Sequence, residues 1–157
     1  MINPTKINNP ESLNKELINF ISQVEYSELI TVTDNLPHIR PMVYVNDGLT
    51  IYMISAKQTA KVSQIKANPN VSVMIVKSFQ ASSETKELIV EGRASFVTDQ
   101  SLRAKVFELF KQKPQTFQEW VDKEHADYEV IKIIPHLLRY FDYAHGQGEP
   151  NILKITA

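Results

Sequence analysis

Along the first quarter of the chain the apolar residues Leu13, Leu17, Ile18, Phe20, Ile21 and Val24 recur at intervals of three and four behind Pro10-Glu11-Ser12. That spacing predicts an amphipathic helix starting near Glu11. From Ser27 the period changes. Leu29-Ile30-Thr31-Val32-Thr33 reads as a strand, Asp34-Asn35-Leu36-Pro37 as a turn, and His38 to Val45 as the next strand. Asn46-Asp47-Gly48 is a hairpin signal, because Asp-Gly takes the positive φ angles of a type I′ turn, and Leu49 to Ser55 pairs back. Three successive strands predict an antiparallel meander.

A helix over Thr59 to Ala67 is expected to stop at Asn68-Pro69-Asn70, ahead of an apolar strand over Val71 to Val76. Leu88 to Val97 reads as a long strand bent at Gly92, the device by which barrels turn corners. Thr98 or Asp99 caps a helix carrying Leu102, Val106, Phe107, Leu109 and Phe110, and a shorter helix through Phe117, Trp120 and Val121 follows. The last long strand is Tyr128 to Ile134, resuming after Pro135 through Phe141, before a final segment over Asn151 to Ile155. Many short strands with few helices imply a barrel or a sandwich. With no repeat and no linker, residues 1–157 read as a single domain.

Composition narrows the chemistry. The chain is 43% hydrophobic and 22% charged, ordinary for a globular protein, and it contains no cysteine. Disulfides, thiolate nucleophiles and thiolate metal sites are therefore excluded. A net charge of -1 argues against general nucleic-acid binding. No apolar run is long enough for a bilayer and Met1 to Lys6 does not begin a signal peptide, so the expected location is the cytoplasm. The histidines 38, 125, 136 and 145 lack metal-ligand spacing, and no Gly-x-Ser-x-Gly, Gly-x-Gly-x-x-Gly or Walker motif occurs.

The stretch from Leu49 through Ser55-Ala56-Lys57-Gln58-Thr59-Ala60-Lys61 to Asn68-Pro69-Asn70-Val71-Ser72-Val73 resembles the strand, phosphate loop, helix and Asn-Pro-x-Val strand of the pyridoxamine-phosphate-oxidase-like family. Pro37-His38-Ile39-Arg40-Pro41-Met42-Val43-Tyr44 before it and Glu87-Leu88-Ile89-Val90-Glu91-Gly92-Arg93-Ala94 after it fall in the family's order. Trp120 followed by Tyr128 to Pro135 is similar to the closing part of its general-stress-protein branch. The resemblance implies a split β-barrel, mainly β, antiparallel and Greek-key-like with flanking helices. It also implies a homodimer binding FMN at its interface. Arg40 and Lys61 would be cations for the FMN phosphate, with Ser55 and Thr59 supplying hydroxyls and Lys57 a further charge. The strand Met42-Val43-Tyr44 would lie along the flavin ring, with Pro41 also among the cofactor-binding residues, Ile54 at the edge of the site, and Trp120 over the flavin from the partner subunit. Glu87 stands where pyridoxamine-phosphate oxidases carry a flavin-contacting glutamine.

The residues themselves give each group a physical case. An arginine inside an apolar strand is costly unless an anion receives its fork of donors; the competing reading turns Arg40 outward to solvent. Lys57 and Lys61 flank Thr59 where a helix begins, a place that favours anions; the competing reading is a solvated helix start with Thr59 as its cap. Met42, Val43 and Ile54 are of types more often found in a core than against a cofactor, so the cofactor reading needs mainly their backbone, and for Trp120 the competing reading is a core or dimer-interface residue. The segment Phe141 to Pro150 reads as a substrate-pocket wall or as a surface loop.

The leading function is an FMN-dependent oxidoreductase acting on a small substrate, with a reduced nicotinamide nucleotide as a compatible donor. A flavin-binding stress or redox-sensing protein without turnover is the second class, and a flavin-free dimer the third. The family's terminal Arg-rich, Pro-ended segment is missing, which argues against pyridoxamine-phosphate oxidation itself.

Overall fold

The computed structural model describes residues 9–78, 84–113, 127–145 and 150–155. Helix α1 (Pro10–Gln23) starts where Asn9 accepts from the Glu11 amide through its side chain, and it buries Leu13, Leu17, Phe20 and Ile21. Strands β1 (Tyr26–Thr33) and β2 (Leu36–Val43) form a hairpin whose loop is Asp34-Asn35 alone. Both residues have positive φ (51° and 63°), as a type I′ turn requires. The expected four-residue turn is therefore too long, and Leu36 and Pro37 belong to β2. Proline is tolerated there because β2 is an edge strand.

The expected meander does not form. The strand predicted to run through Val45 breaks at Tyr44, which is fully buried and donates its hydroxyl to the Ile21 carbonyl (2.7 Å). Strand β3 (Val45–Asp47) then pairs with β4 (Thr50–Ala56) around Gly48-Leu49, not Asp47-Gly48. Of those two only Gly48 has a positive φ (59°).

Helix α2 (Ala60–Ala67), β5 (Asn70–Lys77), β6 (Lys86–Phe96), α3 (Gln100–Lys111), β7 (Tyr128–Asp142), a 3-10 turn (Tyr143–His145) and β8 (Asn151–Lys154) complete the chain. Asp99 caps α3 by accepting from the Leu102 amide (2.7 Å). The expected helix through Phe117 and Trp120 lies outside the described residues.

All pairings are antiparallel, in the order β2-β1-β5-β6-β7-β4-β3 with β8 beside β7. Strands β2 and β3 stand at opposite ends of that order yet are joined by Tyr44 alone. Two Cα steps span at most ~7 Å, so the sheet must curl until its edges meet. The result, among the described residues, is an antiparallel half-barrel flanked by three α-helices.

The bend at Gly92 occurs as expected. The β6–β7 register shifts between Glu91 and Gly92, opposite Pro135, so proline sits at a bulge where no ladder bond is lost and β7 runs on without a break. A Cβ on Gly92 would lie 2.7 Å from the Ile134 carbonyl oxygen.

Two apolar clusters divide β4 by alternation. Ile51 and Met53 face the barrel interior with Leu29, Val73, Leu88 and Ile131, while Tyr52 and Ile54 pack with Val106, Phe107 and Phe110 of α3. No helix among the described residues is long and apolar enough to cross a membrane.

Candidate functional site

Strand alternation and one helix start assemble a polar cradle at the end of the barrel interior. On β2, Arg40 lies opposite Leu29 and on the same inward face of the hairpin as Thr31 of β1, which is completely buried. Its guanidinium donates through Nη1 to Thr31 Oγ1 (2.8 Å) and through Nη2 to Gln64 Oε1 (2.8 Å), while the Thr31 hydroxyl donates to the same Gln64 oxygen (2.7 Å). Of the five guanidinium N–H groups, three remain available for a ligand.

Ser55 continues the inward face of β4, 2% exposed, and Thr59 stands at the N-cap of α2. Their hydroxyls are 2.9 Å apart, and Lys61 Nζ donates to Ser55 Oγ (3.3 Å). Thr59 does not cap α2 through its side chain; its hydroxyl bonds to the Ala56 carbonyl (3.0 Å). The first amides of α2 are thus left for an anion.

Arg40 and Lys61 have neutral partners here, and among the described residues neither has a carboxylate within ion-pair distance. Burial lowers the pKa of both, and the Arg40 charge pushes Lys61 down further. Two converging half-buried cations facing hydroxyls are suited to a dianion such as a phosphate monoester. Close by, Thr33 Oγ1 is buried without a hydrogen-bond partner, two residues beyond Thr31 on the same face of β1.

Thr31 and Gln64 were not anticipated. Gln64 is three residues beyond Lys61 on one helix face, and Thr31 is a polar residue at an inward position of β1; only the pairing of β1 with β2 makes either meaningful.

The structure brings Arg40, Ser55, Thr59 and Lys61 together, with Met42 on the inward face of β2 against the interior cluster. Val43 and Ile54 pack into the α3 cluster instead, and Pro41 is exposed on the other face of β2. Lys57 is exposed and lines a separate groove of about 610 Å³ beside α3. Trp120 lies outside the described residues. At the start of the expected pocket-wall segment, Tyr143 donates to Glu87 Oε2 (3.1 Å) and stacks on Phe141 at 6.4 Å; residues 146–149 are outside the described set. Among the described residues no cluster of His, Asp or Glu is placed to hold a metal.

The family model for pyridoxamine 5'-phosphate oxidase matches residues 13–142. The chain belongs to that family. Within it, the chain is 25% identical to general stress protein 26 of Bacillus subtilis (strain 168) over 148 residues, 94% of this chain and 99% of the relative. A crystal structure of a candidate pyridoxamine 5'-phosphate oxidase from Listeria innocua is 27% identical, with a TM-score of 0.69, covering 83% of this chain and 98% of its own. General stress protein 26 from Bacillus anthracis str. Sterne is 24% identical, with the same TM-score, covering 91% and 98%. More distant solved structures share the fold alone: an FAD-binding protein from Mesorhizobium loti (19%, TM-score 0.68, covering 80% and 91%) and a heme binding protein from Mycobacterium smegmatis (15%, TM-score 0.72, covering 90% and 56%). Of these two fold neighbours, one is named for FAD and the other for heme.

Proposed function

We propose that this chain is a flavoprotein that holds a flavin by its phosphate and works as an oxidoreductase, FMN being the smallest flavin that fills the cradle. The observation that carries this reading is that Arg40, held by Thr31 and Gln64, lies close enough to Lys61 to repel it, that Lys61 bonds to the Ser55 hydroxyl beside Thr59, and that among the described residues neither cation has a carboxylate partner. When bound, the flavin supplies the hydride or electron transfer, and the protein supplies binding and orientation. Arg40 and Lys61 neutralise the phosphate, the α2 amides complete its shell, and the inward strand Arg40–Met42 runs from the cradle as a wall for the ring. A reduced nicotinamide nucleotide is the proposed donor, a small molecule the acceptor, and the cytoplasm the place of action.

We also propose that the chain acts as one domain and pairs as a homodimer, supported by the apolar outer edge of the β1–β2 hairpin, where Tyr26, Leu36 and Ile39 are 55%, 63% and 67% exposed. Sedimentation at micromolar concentration tests this; a monomer removes the dimer from the proposal.

The visible spectrum of the purified protein, followed by FMN titration with fluorescence quenching, tests the cofactor. Flavin bands or stoichiometric quenching are expected. A colourless protein that leaves FMN fluorescence untouched sinks the reading, and stoichiometric haem uptake in a parallel titration would replace it.

A binding protein without turnover is the second reading, favoured by the cradle's lack of any carboxylate or histidine among its hydrogen-bonded groups. Steady-state oxidation of NADH or NADPH by the FMN-loaded protein separates the two.

A further inference from the structure

Two half-buried arginines of the sheet meet different partners. Arg139 of β7 bonds to the Glu91 carboxylate on neighbouring β6, so its charge is cancelled within the chain. Arg40 of β2 meets oxygens without charge: the Gln64 amide oxygen on α2 and the Thr31 hydroxyl, each at 2.8 Å.

These three side chains close a ring of hydrogen bonds. A guanidinium only donates, so the Thr31 hydroxyl accepts from Arg40 and sends its own proton to Gln64 (2.7 Å), and Gln64 must present its oxygen to both. Among the described residues the Gln64 amide nitrogen has no hydrogen-bond partner, and it is not sealed from solvent. Its two N–H donors therefore add to the three left on Arg40.

Gln64 also lies three residues beyond Lys61 on α2, a spacing at which side chains on a helix meet. Lys61 and Arg40 already repel each other. A carboxylate at position 64 would have the shape of the amide and would face both cations at once. The chain would then fill its own cradle with a negative charge, as Glu91 does for Arg139.

We infer that Gln64 is the specificity-determining residue of the cradle: its uncharged oxygen positions Arg40 while leaving the Arg40 and Lys61 charges for a phosphate dianion. The inference rests on the phosphate site proposed above and not on which molecule carries the phosphate.

The full chain, freed of any bound ligand, tests this as wild type, Gln64→Glu and Gln64→Met in two measurements. Fluorescence titration with FMN and with riboflavin, which lacks the phosphate, reads the flavin. Thermal unfolding in inorganic phosphate against chloride at equal ionic strength reads the anion by itself. Gln64→Glu should weaken FMN binding by about 100-fold, the scale of two charge-assisted contacts, and keep riboflavin affinity. It should also abolish stabilisation by inorganic phosphate and raise the unfolding temperature of the ligand-free chain. Gln64→Met removes the oxygen without adding charge, and should weaken FMN binding by about 10-fold and lower that temperature. A glutamine that merely braced α2 would move affinity and stability together in both variants. Equal FMN and phosphate binding by wild type and Gln64→Glu, or an equal fall for FMN and riboflavin, overturns the inference and leaves the flavin proposal standing. Phosphate stabilisation that Gln64→Glu abolishes, in a wild type that binds no flavin, overturns the flavin proposal and keeps the inference. A wild type that responds to neither flavin nor phosphate removes both.

Discussion

Two lysines, one on β6 and one on α2, have opposite surroundings. Lys86, at the start of β6, meets Asp142 at 3.1 Å and Glu16 of α1 at 3.4 Å, and lies 5.9 Å from the centre of the Tyr140 ring. Burial works against its charge, but bonds to Asp142 and Tyr140 outweigh that and raise its pKa. The Tyr140 hydroxyl adds a 3.0 Å bond to Glu16, and the Phe20 ring packs edge-on against Tyr140 at 5.3 Å, so charge and apolar packing together fasten α1 to the sheet. Lys61 meets a serine hydroxyl and a neighbouring arginine, and burial with repulsion lowers its pKa. The first cation is neutralised within the chain and serves the fold. The second meets no carboxylate among the described residues, which is what the proposed flavin site requires.

The largest expected effect separates the two clusters by ligand. Arg40→Ala and Lys61→Ala should each weaken flavin binding by roughly 1.5–3 kcal/mol, the range for charged hydrogen bonds, about 10- to 100-fold or somewhat more in affinity. Flavin-free stability should barely change, because Thr31 and Gln64 remain bonded to each other and a repulsion is relieved. Titration and urea unfolding of the same variants check both halves. A loss of stability comparable to the loss of affinity would make the cradle a structural cluster like its counterpart.

Lys86→Met should show the reverse, with flavin affinity kept and stability lowered by about 1 kcal/mol, since a half-buried cation bridging two carboxylates exceeds a surface pair but falls short of a fully buried one. Denaturant midpoints report it. If flavin affinity fell instead, the division of labour drawn here would be wrong.

The smallest effect is a difference in pH slope. A lysine with a raised folded pKa contributes stability present below the unfolded value of 10.5 and lost as pH rises through the folded value, so stability of the wild type relative to Lys86→Met should decline above pH 10.5. A lysine with a lowered folded pKa behaves oppositely. In the window just below 10.5 the unfolded chain binds more protons, so the flavin-free wild type should gain stability relative to Lys61→Ala as pH rises. Unfolding of both pairs from pH 8 to 11 checks the signs, and two slopes of the same sign would dissolve the contrast.

Much of this was legible in the chain because the signals are local. The three-and-four spacing in α1, the cap at Asp99, the bend at Gly92 and the order of Arg40, Ser55, Thr59 and Lys61 each depend on residues a few positions apart. Other features were hidden because competing local signals were equally good. Asp-Gly outranks Asp-Asn as a hairpin signal, yet Asp34-Asn35 carries two positive φ angles while Asp47 stays in a strand. Ile54 and Ser55 are neighbours in sequence, yet pleating sends one to the α3 cluster and the other to the cradle.

The sequence by itself determined the period of each element, the family and the set of cations able to meet a phosphate. Tertiary structure alone decided which of them come together. Tyr44 breaks a strand that its own propensity would continue, because its ring is swallowed by the core and its hydroxyl is claimed by α1. That break sends β2 and β3 to opposite edges and curls the sheet. Pairing β2 with β1 then sets Arg40 beside Thr31 and Gln64, residues 9 and 24 positions away. Lys57 and Lys61 share a spacing signal, but the turn between them directs one to an outer groove and the other to the barrel interior. A lysine's partners are fixed by long-range pairing, and no local pattern carries that information.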